Sequence, residues 1–479
     1  CSWNGMAAEK HVKEVLSVML NQPLDVFDLK KIQVNATKAE LETDGKLQRR
    51  QVPVEKLGEY VPVQRDPINL IKLTEAKMIP ELLPLRHQRM AASRFAFFRG
   101  TAELMEQDLK QQYQSGISII INGDAHLGNY GFYASPERKL LFDLNDFDES
   151  RIGNWESDLK RLLVSTYLVG LQNNFEPARL QTLLSSMCKV YRRGVKHAET
   201  LTLLQRFYFS YEIHDMIQTL NSLEDNDRAE MSRIVDRILK KSHKNNSETV
   251  IKKFTTLNSR GHLIFRENPP RARHVSDHTF RQIQAAYNSY RNYVREDIRV
   301  LLASYHLSDV IRYSVGVGSF GTRCFLLLLT GIDGSHLVLQ MKEALPLRYN
   351  LLAMPVAESI KSSLNAGRRI VTAQKVLQSA SDPFLGSTHF DGRGYYLRQF
   401  RDMKESIDTT RLDFESLSVY AEICSFLLAM AHFQSPTAPR IAGYLRKQKQ
   451  LDEGLANWAV QYSKQVDQDY QRFLAYLNQ

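Results

Sequence analysis

The chain has 479 residues, with 63 Lys+Arg against 53 Asp+Glu for a net charge of +10, and it is 43% hydrophobic and 24% charged. At ~150 residues per domain this length predicts two or three domains or lobes, and the composition excludes the disordered and fibrous classes. No apolar run approaches the ~18–20 residues that cross a bilayer, so no transmembrane segment is expected. Cys1, Cys188, Cys324 and Cys424 form no zinc spacing, and no disulfide framework is expected. This fits a reducing, cytoplasmic compartment, while a chain beginning at Cys1 leaves a processed or lipid-modified start open. The basic excess points to an anionic partner. The run Lys240-Lys241-Ser242-His243-Lys244 lacks interleaved aromatics for base stacking, so no nucleic acid is expected. Oligomeric state is not legible.

Residues 1–80 begin with a short helical stretch. Pro53, Pro62 and Pro67 then read as an extended arm. Helical periodicity runs from Leu82 to Gln112. A strand, Ile117 to Ile121, ends at Asn122-Gly123, and a second covers Leu140 to Leu144. From Trp155 to about Tyr305 the pattern is mostly helical, broken near Asn245 and at Asn268-Pro269-Pro270. Residues 311–345 alternate and carry Gly and β-branched residues, which predicts two or three antiparallel strands. A helix is expected over 355–380 and a strand over Tyr395 to Phe400. The tail from Leu412 to Leu477 reads as helical, with a break near Pro436 and Pro439.

The loop after the first strand, Asn122-Gly123-Asp124-Ala125-His126-Leu127-Gly128-Asn129, sets an acid and an amide five residues apart. Fourteen residues beyond Asn129 a strand delivers Asp143, followed by Asp146 and Asp148. Phosphoryl transfer uses such a set: one carboxylate for the attacking hydroxyl's proton, and an amide and a carboxylate for magnesium, which prefers hard oxygen ligands. Asp124 is the candidate base. Asn129 and Asp143 are candidate metal ligands, and Asp146 is a second ligand or a loop cap. Turn chemistry alone would also produce Asn-Gly-Asp. His126 is a proton relay or a loop-shaping residue.

Val315-Gly316-Val317-Gly318-Ser319-Phe320-Gly321 matches G-x-G-x-x-G, and an apolar strand follows it instead of the helix a dinucleotide fold requires. A second strand leads to Lys342. Strand, glycine loop, strand and strand with Lys is the nucleotide-covering hairpin of kinases. Gly316, Gly318, Ser319 and Gly321 would approach phosphate through backbone amides, and Lys342 would pair with it. Glu358 is the first candidate to fix that lysine, with Glu343 and Gln374 as alternatives. Glu343 should point to the opposite face of the strand from Lys342. The stretch holding Gln399 and Arg401 would be the linker strand beside adenine, or an ordinary sheet strand. Arg89 and Arg99 precede the catalytic loop and read as structural, with phosphate contact the alternative.

Several stretches together resemble the bacterial domain-of-unknown-function family 2252: Ser93 to Gly100, Gly123 to Asn129, Phe142 to Glu149, Trp155 to Arg161, Val315 to Arg323, Gln340 to Ala344, Ser381 to Gly386 and Arg398 to Lys404. Arg94 and Thr372 depart from its pattern, where Pro and an acid are expected. The family is similar to protein-kinase-like folds, nearest to aminoglycoside and choline phosphotransferases, whose catalytic loop has the form His-Gly-Asp-x-His-x-x-Asn. Asp124, His126 and Asn129 match that loop, and Asn122 replaces its leading His. By the same resemblance Asp143 is the metal-binding Asp and Asp158 the structural Asp on the next helix.

The resemblance implies an α+β, bilobal kinase-like fold that is circularly permuted, since the catalytic loop precedes the glycine loop. The expected parts are an arm (1–80), a helical large lobe (81–305), a small nucleotide-binding lobe (306–402) and C-terminal helices completing the large lobe (403–479). The expected function is transfer from ATP, with Mg2+, to a small-molecule hydroxyl acceptor. Adenylyl transfer to protein and a non-catalytic nucleotide-binding module are the alternatives.

Overall fold

The computed structural model describes residues 27, 29–221, 233–240, 247–314, 321–347, 356–401 and 403–479, with the backbone alone over 356–364. The chain is a mixed α+β protein with small antiparallel sheets. Gly316, Gly318 and Ser319 lie outside the described residues, as does the Glu358 side chain.

Three helices, Lys38–Gln51, Val54–Leu57 and Pro67–Glu75, stand where an extended arm was expected, and between them only 52–53 and 58–66, the latter around Pro62, lie outside helix. Helix Lys38–Gln51 opens on a capping box: Glu40 N–H donates to Thr37 Oγ1 (3.3 Å), and Thr37 N–H donates to the Glu40 carboxylate (2.7 Å). Pro53 precedes helix Val54–Leu57, and Pro67 sits in the first turn of Pro67–Glu75. A proline is tolerated there because a first-turn N–H has no partner within the helix. The Lys38 helix lies against Pro439–Leu445 so closely that a Cβ on Gly443 would sit 2.0 Å from Glu42 O.

Between Leu82 and Gln112 the expected helix is three short ones, Leu83–Met90, Arg94–Gly100 and Ala102–Leu109. Arg94 occupies the first position of its helix, where Pro is favoured, and pairs with Asp467. Strand β1 (Ser118–Ile121) pairs with β4 (Arg151–Asn154), and β2 (Tyr130–Ala134) with β3 (Leu140–Leu144). Helices Trp155–Gln172, Pro177–Thr200, Phe414–His432 and Gln450–Leu477 enclose these hairpins in one large core. The Phe414 helix is the one described helix long and apolar enough to cross a membrane, but 67% of its apolar window is buried within the fold.

The second sheet has six strands in the order β11-β12-β10-β9-β8-β7: Gly386–Phe390, Arg393–Gln399, His336–Ala344, Cys324–Gly331, Tyr305–Tyr313 and Ala272–His274. Strand β9 is apolar without a break because both of its faces are covered. Phe325, Leu327 and Leu329 pack with Tyr287 and Tyr290 of helix Asp277–Arg291, while Leu326 and Leu328 pack with Val250, Phe265 and Phe400. Each such buried side chain contributes roughly 2 kcal/mol. Helix Val356–Leu377 lies against β11 and β12, where a Cβ on Gly367 would meet Tyr395 O at 2.5 Å.

Candidate functional site

The loop after β1 is held from below by Asp158 on the Trp155 helix. Its carboxylate accepts the N–H groups of Asn122 (2.7 Å) and Gly123 (2.8 Å). His432 Nε2 lies 3.2 Å from the same carboxylate, and its Nδ1 lies 2.7 Å from the Tyr191 hydroxyl. Gly123 has φ +80°, and a Cβ there would sit 2.1 Å from Glu149 O, so only glycine fits where this loop crosses the acidic segment. Ser165 Oγ accepts Leu127 N–H (2.8 Å), and Tyr420 donates to Leu127 O (3.1 Å).

Asn129 staples the two acidic loops. Its amide NH2 donates to Asp124 O (3.0 Å), Asp146 O (2.9 Å) and Asn122 Oδ1 (3.2 Å), and its Oδ1 accepts Asp146 N–H (2.8 Å). This bonding orients the two loops, and the Asp146 N–H already occupies one acceptor site of the amide oxygen expected to bind metal. Asp124 is ion-paired with Arg161, which also donates to Phe98 O (2.9 Å) and lies over the Phe98 ring at 4.1 Å. His126 is buried, with Nε2 3.9 Å from Asp124 Oδ2. Burial and the nearby Arg99 and Arg161 cations hold its pKa well below the ordinary histidine value.

Asp143 and Asp146 diverge. Strand β3 runs through Asp143 to Leu144. Asp143 is buried, accepting Leu144 N–H (2.8 Å) and Ser379 N–H (3.0 Å), and burial pushes its pKa up to about 6. Asp146 lies beyond the strand end, 52% exposed, with a carboxylate oxygen 3.9 Å from Lys342 Nζ. The protein packed around its open side still opposes ionisation by partial desolvation, but the Lys342, Arg398 and Lys404 cations outweigh that, and its pKa lies below the ordinary carboxylate value.

Lys342 on β10 reaches this segment across 194 positions of chain, with Nζ 2.5 Å from Asp148 Oδ2. Lys342 stands opposite Tyr396 on β12, and the Tyr396 hydroxyl donates to Asp148 Oδ1 (3.2 Å). Two positions along the register, Arg398 donates to Gln340 (2.9 Å). Burial disfavours the charged lysine, yet Asp146 and Asp148 raise its pKa well above normal. Burial and Arg398 instead lower Lys404 to about 7. Arg369 of the Val356 helix donates to Ser150 O and Asp148 O (both 2.7 Å), fixing the acidic segment.

The structure thus brings Asp124, His126, Asn129, Asp146 and Lys342 into one network and leaves Asp143 outside it. Glu343 turns to the other face, against Arg323 (3.3 Å) and Arg393 (3.5 Å), while Gln374 donates to Gln378. Gln399 N–H donates to Asp382, and Arg401, with φ +56°, stacks at 5.1 Å over Phe254. Gly321 has φ +99°; its carbonyl accepts Ile79 N–H (2.8 Å), and a Cβ would strike Met78. Asp148, Arg161, Arg369, Tyr396, Arg398 and Lys404 complete the network without having been singled out for it. For Tyr396 and Arg398 the available signal was period-2 spacing along the expected linker strand, while Lys404 lies beyond the strand end, where no such spacing applies.

Among the described residues no three His, Cys, Asp or Glu side chains gather to hold a metal. Magnesium, however, uses one or two carboxylates with substrate phosphates completing its shell, and of Asp143, Asp146 and Asp148 the most exposed is Asp146, whose carboxylate could take that place. A cavity of about 1470 Å³ lies elsewhere, lined by Arg368, Thr372, Ser379, Asp382 and His389 among others. Neither Asp124, Asp146 nor Lys342 lines it.

A family model described as "Uncharacterized protein conserved in bacteria (DUF2252)" matches residues 78–476. No curated protein and no solved structure matches the chain.

Proposed function

This chain belongs to the DUF2252 family, and from the geometry of its acid–lysine network we propose that it is an ATP- and magnesium-dependent phosphotransferase of kinase-like, circularly permuted architecture. The observation that carries this reading is Lys342. A sheet lysine that meets, across 194 positions of chain, the Asp146–Asp148 segment, itself stapled by Asn129 to the Asp124 loop, is the arrangement phosphoryl transfer calls for. The helical core around the Asp124 loop would be the large lobe, and the six-stranded sheet would carry the small one.

In this reading ATP enters between the sheet and the acidic loops. Lys342 pairs with its phosphates, and the cations Arg398 and Lys404 add to the field there. Asp146 would hold magnesium, which supplies charge neutralisation on the phosphate oxygens. Asn129 and Arg369 hold the Asp146–Asp148 backbone so that its carboxylates need not reorganise. The acceptor's hydroxyl oxygen bonds to the γ-phosphorus as the bond to the β–γ bridging oxygen breaks. ADP leaves with that electron pair, and Asp124, oriented by Arg161, takes the hydroxyl proton.

Incubation of the protein and cell extract with ATP labelled on the γ- or the α-phosphate tests this. Label from the γ-position alone is expected in a small-molecule product. Label from the α-position in protein would replace this reading with adenylyl transfer, and no transfer despite nucleotide binding would leave a non-catalytic nucleotide-binding module.

A further inference from the structure

Arg99, on the helix before the catalytic loop, reads from sequence as a structural arginine. Its surroundings differ from those of the arginines near it. Arg161 is paired with Asp124 and Phe98 O, and Arg369 with three backbone carbonyls. Among the described residues Arg99 makes no hydrogen bond or ion pair; it lies 5.6 Å from the Phe95 ring centroid. The Asp124 and Asp146 carboxylates are near enough to act on its charge, which places it beside the reacting centre.

A second group faces the same point. His126 is 6% exposed, and its Nδ1 is buried with no hydrogen-bond partner, an arrangement that normally costs about 1–3 kcal/mol. Phe95 underlies both groups, its ring edge-on to His126 at 6.1 Å and 87°. The spot they share is marked by Gly128. A Cβ there would lie 3.4 Å from His126 Cε1, 3.5 Å from His126 Nδ1 and 3.5 Å from Arg99 Cζ. The missing side chain therefore leaves a small cradle with a guanidinium on one side and an imidazole nitrogen on the other.

We propose that Arg99, His126 and the Gly128 cradle form an anion seat beside Asp124, and that the acceptor carries a carboxylate or phosphate group which this seat takes while its hydroxyl faces Asp124. The assignment to the acceptor rests on the phosphotransferase reading; the seat itself rests on the geometry. Arg99 supplies a charge-assisted, two-pronged contact. Burial and the flanking arginines keep His126 neutral, and with its proton on Nδ1, since Nε2 is too far from Asp124 to bond it, the ring offers one N–H donor without a second charge. These are binding and positioning roles, with Asp124 left as the proton acceptor.

The test is calorimetric titration of inorganic phosphate into the protein saturated with magnesium and a non-hydrolysable ATP analogue, so that the terminal-phosphate position is already filled. Wild type should bind phosphate without losing the analogue. Arg99→Gln should weaken phosphate about tenfold and leave analogue affinity within twofold, and Arg99→Lys should recover part of the loss. Gly128→Ala fills the cradle at ordinary contact distances, so it should fold and weaken phosphate too. Phosphate binding unchanged in Arg99→Gln, or absent in wild type, overturns the proposal. Displacement of the analogue by phosphate also overturns it, because Arg99 would then serve the nucleotide's terminal phosphate. If wild type ignores the analogue yet binds phosphate in an Arg99-dependent way, the seat stands and only the transfer reading falls.

Discussion

Asp143 and Asp146 are three positions apart in the chain but occupy opposite environments. Asp143 is sealed behind β3 with both carboxylate oxygens bound by backbone N–H groups, while Asp146 faces Lys342 with half its surface exposed. Asp143→Asn should therefore leave the magnesium dependence of nucleotide binding intact, and Asp146→Asn should abolish that dependence while leaving the protein folded. Titration calorimetry with and without magnesium reads both. Loss of the metal dependence in Asp143→Asn alone would return the metal to Asp143.

The same burial gives Asp143 a pH signature. Its pKa is raised from 3.8 to about 6, so the folded state holds a proton that the unfolded chain has already released. Stability from this group is fully present below about pH 4 and is lost as pH rises through about 6. Two pKa units correspond to about 3 kcal/mol. Urea unfolding at pH 4 and pH 7 should show wild type losing up to about that much relative to Asp143→Asn. A pH-independent difference between the two would contradict the assignment.

How much of this was legible beforehand follows from range and period. The Asp124 loop and Lys342 rest on local spacing, and the turn of Glu343 to the opposite face follows from a strand's period of two. Telling the buried Asp143 from the exposed Asp146 requires knowing that β3 ends at Leu144, and strand ends are weakly coded. Asp148 as the lysine's partner is a contact across 194 positions, which no local pattern encodes. Pro53 and Pro67 suggested an arm because a proline that breaks a helix and one that opens a helix look alike without the cap residue's partners. Strands Thr255–Leu257, Leu263–Phe265 and Ala272–His274 have three residues each, too few to display alternation.

Asp158 accepts two backbone N–H groups and lies against the buried His432, so its role is to hold the loop. Asp158→Ala would strand those donors inside the core and should cost about 3–5 kcal/mol in denaturant unfolding. A stable Asp158→Ala protein with lost nucleotide binding would instead make Asp158 part of the binding surface.

Gly123→Ala forces a left-handed φ on alanine and drives a methyl group into Glu149 O. A loss of roughly 2–4 kcal/mol is expected, measured by denaturant unfolding. A change under 1 kcal/mol would show that the two loops can separate at little cost.

The ion pair of Lys342 with Asp148 joins the sheet to the acidic loops, and the functional reading turns on it. Lys342→Met leaves Asp148 without its cation and should cost about 3 kcal/mol. The most direct measurement is the calorimetric titration of Mg·ATP into wild type, Lys342→Met and Asp146→Asn, each first shown to be folded. Wild type should bind with an affinity that falls when magnesium is removed. Lys342→Met should bind at least tenfold more weakly, and Asp146→Asn should bind without responding to magnesium. No Mg·ATP binding by wild type, or wild-type binding by both variants, would contradict a nucleotide site at Lys342 and Asp146.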